Sequence, residues 1–180
     1  PGETQTIVIP INNDNIVEGS ETIIVQLGTP TNGVTLNGTG IGTGTITNDD
    51  KAAVTIANAS GAEDGGPITV TATLDNPVAG GFRVPVSTSD GTATIADSDY
   101  TPVTNFPLNF TVLTPNESLT FQVTPTPDNV VEPDETIRVS MGNVVGTTLI
   151  ADIDVSDTAE VTITNDDSSM SIGPAGITLL

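Results

Sequence analysis

One stretch of this chain is written twice. Thr45-Ile46-Thr47-Asn48-Asp49-Asp50 returns as Thr162-Ile163-Thr164-Asn165-Asp166-Asp167, 117 positions later (162 − 45). Upstream of it, Asp14, Glu18 and Glu21 return as Asp128, Glu132 and Glu135, and Pro1-Gly2-Glu3 as Pro115-Asn116-Glu117, each 114 positions later (128 − 14). The three-residue difference places an insertion between the two landmarks of the second copy, most simply around residues 151–157. A repeat of this length makes each copy its own folding unit, so the chain is built as beads. Residues 1–50 then form the back half of one unit and 51–167 a complete one. Residues 168–180 begin a third, because Met170-Ser171-Ile172 follows the second Asn-Asp-Asp as Val54-Thr55-Ile56 follows the first.

Within the copies, residues 6–11, 22–27, 53–57, 68–74, 82–87, 118–123, 136–141 and 160–164 alternate apolar with polar or run β-branched, which predicts strands. Gly, Asn, Asp and Pro interrupt them at short intervals and no helical period competes, so the expected class is all-β, a sandwich. The unit 51–167 has enough chain for one such domain, whose usual size is about 100 residues. Residues 1–50 do not. They hold no aromatic residue, since Phe82, Tyr100, Phe106, Phe110 and Phe121 all lie in the second unit. Strands without an opposing sheet leave an apolar face in water and open edges. Neighbouring repeats, of the same or an adjacent chain, are therefore expected to complete residues 1–50.

Charge decides the partners. Against 23 Asp and Glu stand only Lys51, Arg83 and Arg138, for a net charge of -20. Nucleic acid and anionic membrane surfaces repel such a chain, and no run of about eighteen apolar residues offers membrane insertion. Cysteine and histidine are absent, which removes disulfides, thiolate nucleophiles, imidazole bases and ordinary zinc sites. Oxygen donors in excess point to a hard cation, and calcium suits them best.

The run Asp90-Gly91-Thr92-Ala93-Thr94-Ile95-Ala96-Asp97-Ser98-Asp99-Tyr100 resembles the Calx-beta signature of Asp-Gly-Thr-Ala followed by Ser-Asp-Tyr. Pro-Gly-Glu-Thr before a strand, the Asp-x-x-x-Glu-x-x-Glu cluster and the closing Thr-Ile-Thr-x-Asp-Asp are similar to that family too, and together they span nearly the whole chain. The resemblance implies an immunoglobulin-like, seven-stranded antiparallel β-sandwich in tandem repeats. In sodium/calcium exchangers some such domains bind calcium through loops at one end. Carried over by residue, it implies a Ca2+ site of Glu63, Asp90, Asp128, Glu132, Glu135, Asp166 and Asp167. The partial unit would contribute Asp14, Glu18, Glu21, Asp49 and Asp50. Pro127, Asn129 and Asn165 stand where exchanger domains carry further aspartates, which implies fewer ions or weaker binding.

Each acid also has a plainer reading. Asp-Gly pairs form turns without any ion, Glu132 and Glu135 suit a solvated loop face, and Asp49-Asp50 suits a linker. Taken together, and with the hairpin and closing-run acids written twice, the set favours calcium. Asp152, Asp154 and Asp157 alternate and are expected to face solvent, and Tyr100 is expected to pack with its hydroxyl on backbone. The function that follows is a non-catalytic, calcium-binding structural repeat of a large secreted or cell-surface stalk or filament protein, with the ion limiting motion at repeat junctions; a bacterial source fits. Two alternatives stay open: an adhesin repeat that grips a glycan or surface receptor, and an accessory segment of a carbohydrate-active enzyme. An aromatic content of 3% leaves little to stack on sugar. Asn37, Asn58, Asn109 and Asn116 fit the glycosylation acceptor pattern, which Asn- and Thr-rich chains also meet by chance.

Overall fold

The structure, a computed structural model, describes residues 3–111 and 113–168. The strand expected at the start of a third unit lies, from residue 169 onward, outside them. Residues 1–50 contribute two strands, β1 (Glu21–Gln26) and β2 (Ile41–Ile46), paired antiparallel with Glu21 opposite Ile46. Segment 6–11, expected as a strand, joins no ladder. The reason lies in its counterpart: residues 120–125 belong to β9 (Glu117–Pro125), which is hydrogen-bonded on both sides, by β5 (Ile68–Leu74) and β7 (Tyr100–Thr101). Residues 1–50 contain no equivalents of β5 and β7, and alternation cannot make a strand without partners for its N–H and C=O groups. Ile7, Val8, Ile9, Ile11 and Ile24 are accordingly exposed.

The second unit is a sandwich. One sheet runs β4 (Ala59–Ala62), β12 (Thr158–Thr164), β10 (Glu135–Met141), β6 (Phe82–Asp90), β8 (Phe106–Phe110), and the other β11 (Ile153–Asp154), β3 (Ala52–Ile56), β5, β9, β7. With β3 and β4 taken as halves of one strand that switches sheets, the long strands are β3/β4, β5, β6, β8, β9, β10 and β12, the expected seven. Pairing is antiparallel except at two edges, where β4 lies parallel to β12 and β11 parallel to β3. Crossing to the other sheet without reversing direction is what sets β4 parallel to the last strand.

Inward positions alternate with outward ones as the periodicity requires. Val54, Val70, Leu74, Val84, Leu108, Phe110, Val123, Ile137, Val139 and Val161 are fully buried between the sheets. Phe82 stacks on Phe110 with ring centroids 5.1 Å apart, and Phe106 meets Phe121 at 6.2 Å.

One residue of the first unit joins this core. Val17 is 0% exposed; its N–H donates to Pro77 O at 2.9 Å and its carbonyl accepts from Ala79 N–H at 2.8 Å, a parallel bridge with Val78 at its centre. The receiving turn is shaped by Gly81, at φ +68°, where a Cβ would lie 2.5 Å from the Phe110 carbonyl oxygen. Lys51 steadies the connection, pairing with Asp152, while its carbonyl accepts from Asn76 Nδ2 at 2.9 Å. No helix among the described residues is long and apolar enough to cross a membrane.

Packing predicts very different costs at the two ends of the chain. Phe110→Ala should lower unfolding free energy by about 3–5 kcal/mol, whereas Ile24→Ala, 68% exposed, should change it by less than about 0.5 kcal/mol. Urea titration followed by circular dichroism measures both; comparable losses would mean that β1 is buried.

Candidate metal centre

Four loops meet at one end of the sandwich. The 3-10 turn Glu63–Gly65 between β4 and β5 presents Glu63, the loop from β9 to β10 presents Asp128 and Glu132, the loop before β7 presents Asp99, and the exit of β12 presents Asp166 and Asp167. Glu135 opens β10, opposite Ile163 of β12. Side chains hold these loops in place. Glu63 Oε1 accepts from Asp128 N–H at 2.9 Å, and Asp128 Oδ1 from Val130 N–H at 2.6 Å, an Asx turn. Asn165 ties hairpin to strand: its Oδ1 accepts from Glu132 N–H at 3.1 Å, its Nδ2 donates to Asp167 O at 2.9 Å, and its own N–H donates to Asp134 Oδ1 at 3.1 Å.

This framework crowds carboxylates. Glu63, Asp128 and Asp167 form one triad and Asp99, Glu132 and Glu135 another, each with ligand oxygens within 4.8 Å of one another. A small cavity of about 10 Å³ lies among Glu63, Asp99, Glu132, Pro133, Glu135, Ile163 and Asn165, close to the room one water-sized sphere requires. Among the described residues Glu63 is the one buried charged side chain, and Asp167 Oδ2 is buried with no hydrogen-bond partner. Lys and Arg stay away, the one ion pair among the described residues being Lys51 with Asp152.

Glu63, Asp64, Glu132 and Glu135 resist ionisation accordingly. Burial pushes the Glu63 carboxyl up, the Asp128 N–H offsets only part of this, and Asp128, Asp167 and Glu132 add repulsion. Burial also raises Glu132, reinforced by Asp128 and Asp99, and Glu135, reinforced by Asp99 and Glu132. Asp64 is raised mainly by its hydrogen bond with Asp166. A divalent cation held here would relieve both the repulsion and the unpartnered oxygen. Calcium binds oxygens at 2.3–2.6 Å, so two ligands of one ion lie at most roughly 5 Å apart, as each triad does.

Of the residues expected from sequence, Glu63, Asp128, Glu132, Glu135 and Asp167 come together here. Asp166 faces Asp64, which sequence reasoning passed over. Asp90 lies outside both triads: its Oδ1 accepts from Ile95 N–H at 3.2 Å and from the Tyr100 hydroxyl at 2.8 Å, fastening the loop. Tyr100 is thus held by a carboxylate rather than by backbone, and burial with Asp90 pushes its hydroxyl to about 12. Gly91 has no room for a side chain, a Cβ there lying 2.2 Å from Thr136 O. The acid that reaches the site from this run is Asp99, visible in Ser98-Asp99-Tyr100 but passed over for the residue beside the glycine. Of the three acids expected to face solvent, Asp154 is exposed and Asp152 and Asp157 are half-buried, and each takes a partner: Asp152 pairs with Lys51, Asp154 accepts from Ser156 N–H at 2.9 Å and Asp157 from Ile56 N–H at 2.8 Å.

The first unit repeats the framework. Asp14 Oδ1 accepts from Ile16 N–H at 2.9 Å, Asn48 Oδ1 from Glu18 N–H at 3.1 Å, and Asn48 Nδ2 donates to Asp50 O at 3.0 Å. Asp14, Glu18, Asp49 and Asp50 line an open cleft of about 270 Å³, and Glu21 opens β1 opposite Ile46 as Glu135 faces Ile163. Residues 1–50 hold no counterparts of Glu63 and Asp99. Asp50 is nonetheless raised by burial, then by Asp49 and Asp14.

The profile of the Calx-beta domain matches residues 1–60 and again 47–167. The chain belongs to the Calx-beta family. Among solved structures, the apo-form Calx CBD1 domain is similar with a TM-score of 0.52 and 22% identity, over 66% of this chain and 100% of that one. CBD12 from CALX1.2 gives 0.52 and 22%, over 65% of this chain and 44% of that one. The calcium binding domain CBD12 of CALX1.1 gives 0.51 and 20%, over 65% and 47%. The match thus spans less than half of each CBD12 chain, and at these identities the likeness is one of fold. No curated protein matches.

The raised carboxylates set a pH dependence. A carboxyl whose folded pKa exceeds its unfolded value binds protons better when folded, so stability falls as pH rises through the folded value. Glu63, Glu132 and Glu135 all shift upward, from an ordinary value of about 4.3. In chelator, the urea midpoint should therefore be higher near pH 5 than at pH 7. Excess calcium, which needs the ionised forms, should reverse that order. A midpoint in chelator that rises toward pH 7 would contradict the assignment.

Proposed function

We propose that this chain is a calcium-binding structural repeat of a larger extracellular surface, stalk or filament protein, without catalytic activity, in which the ion stiffens the junction between repeats. The observation that carries the reading is Asp167 Oδ2, buried without a hydrogen-bond partner among the described residues, in a triad with Glu63 and Asp128. Glu63, Asp128 and Asp167 would hold one ion, and Asp99, Glu132 and Glu135 would hold another. The ion supplies positive charge and oxygen coordination. The chain supplies position, through the Asn165 amide and the Asp128 turn, so that the acids are gathered before any ion arrives.

Location gives the ion its mechanical role. Asp49 and Asp50 immediately precede Lys51, and Val17 lies one residue before Glu18, so the first unit's acids flank the contact with the second unit. Neutralising them would favour the closed junction over a hinged one. The amides Asn129 and Asn165 and the partial exposure of the acids suit the weak calcium sites of extracellular modules, with dissociation constants of about 10⁻⁴–10⁻³ M. An enzyme would need a unique constellation, and here the framework occurs in both copies.

Thermal melting in chelator and in calcium tests the proposal. The gain should reach about 2.7 kcal/mol once free calcium is a hundredfold above the dissociation constant, and Asp167→Asn should abolish most of it. Glu63→Gln should act in opposite directions, raising the midpoint in chelator by removing a buried charge and lowering the response to calcium. A midpoint indifferent to calcium removes the ion from the account.

A further inference from the structure

The contact between the two units has a second half already present on the other side of the complete one. Val17 and Val131 occupy the same place in the repeat, 114 positions apart (131 − 17). Their surroundings match bond for bond. Asp14 and Asp128 each cap the N–H two residues on, at 2.9 Å and 2.6 Å, and Asn48 and Asn165 each accept the N–H of the following glutamate, Glu18 or Glu132, at 3.1 Å. The backbone that presents Val17 is therefore the backbone that presents Val131. Their burial is opposite: Val17 is 0% exposed, while Val131 is 53% exposed and its neighbour Val130 54%.

What covers Val17 identifies what would cover Val131. Val17 sits on the turn Asn76-Pro77-Val78-Ala79, with its N–H on Pro77 O at 2.9 Å and its carbonyl on Ala79 N–H at 2.8 Å. Val78 beneath it is 2% exposed and belongs to the core of the complete unit. This turn lies between β5 and β6, so it comes with any complete unit of this kind. We propose that Val131 is the outgoing half of a head-to-tail docking contact, and that its occupant is the turn equivalent to residues 77–79 in a following repeat of the same type. Each unit would receive a valine through that turn and offer one through its β9–β10 hairpin, so the same joint recurs along an array at a fixed orientation. The proposal rests on the repeat reading and needs no ion.

A tandem variant tests it, in which a second copy of residues 51–167 follows directly after Asp167 of this chain, as Lys51 follows Asp50. All measurements are made in chelator, which separates this proposal from the calcium one. Because the chain has no cysteine, one introduced pair can be read cleanly. Val17→Cys with Val78→Cys of the first complete unit is the reference, and Val131→Cys with Val78→Cys of the appended copy is the test pair. Both should form a disulfide under mild oxidation to a similar extent. Closure of the reference pair alone overturns the proposal, and closure of neither overturns the joint from which it is drawn. Amide hydrogen exchange without any cysteine gives a second reading. The Val131 N–H should exchange rapidly in the present chain and about tenfold or more slowly in the tandem variant, a factor that burial of one valine supports. Equal rates in the two proteins would also overturn it.

Discussion

The tip of the complete unit depends on backbone N–H groups that no strand can satisfy. At the end of a sandwich the ladders stop, and the N–H groups of the turning chain need other acceptors. Here carboxylates and amides serve: Glu63 takes the N–H of Asp128, Asp128 that of Val130, Asn165 that of Glu132 and Asp99 that of Thr94. Each bond that fixes a loop also fixes an acid, and loops arriving from distant parts of the chain place their acids within a few ångströms of one another. The crowding follows from the way the turns are closed.

Amides stand at points where one more carboxylate would add repulsion without closing a turn. Asn165 donates as well as accepts, which an aspartate ionised at neutral pH cannot do, and the bond from its Nδ2 to the Asp167 carbonyl orients the closing run. Asn48 does the same in the first unit. Asp90 and Tyr100 matter away from the triads: the hydrogen bond between them anchors the loop on which Asp99 rides.

The joint at Val17 belongs to the same economy of turns. A two-bond bridge to Pro77 and Ala79 lets a residue of one unit enter the core of the next, so the orientation of the units is set by core packing as well as by the linker. Residues 1–50 keep their hairpin of β1 and β2 but leave Ile7, Ile9 and Ile24 uncovered.

Much of this was legible in residue order. Alternation located the strands of the complete unit, because inward and outward positions of a sheet follow period two wherever both sheets are present. Duplication located the acidic loops, because a turn that closes the same way twice uses the same residues. The choice between Asp90 and Asp99, the absence of a strand at residues 6–11 and the opposite fates of Val17 and Val131 were not legible, since in each case the local sequence permits both outcomes. They turn on which groups from distant segments come within bonding distance, and hydrogen bonding and burial are properties of that meeting, which only the tertiary structure decides.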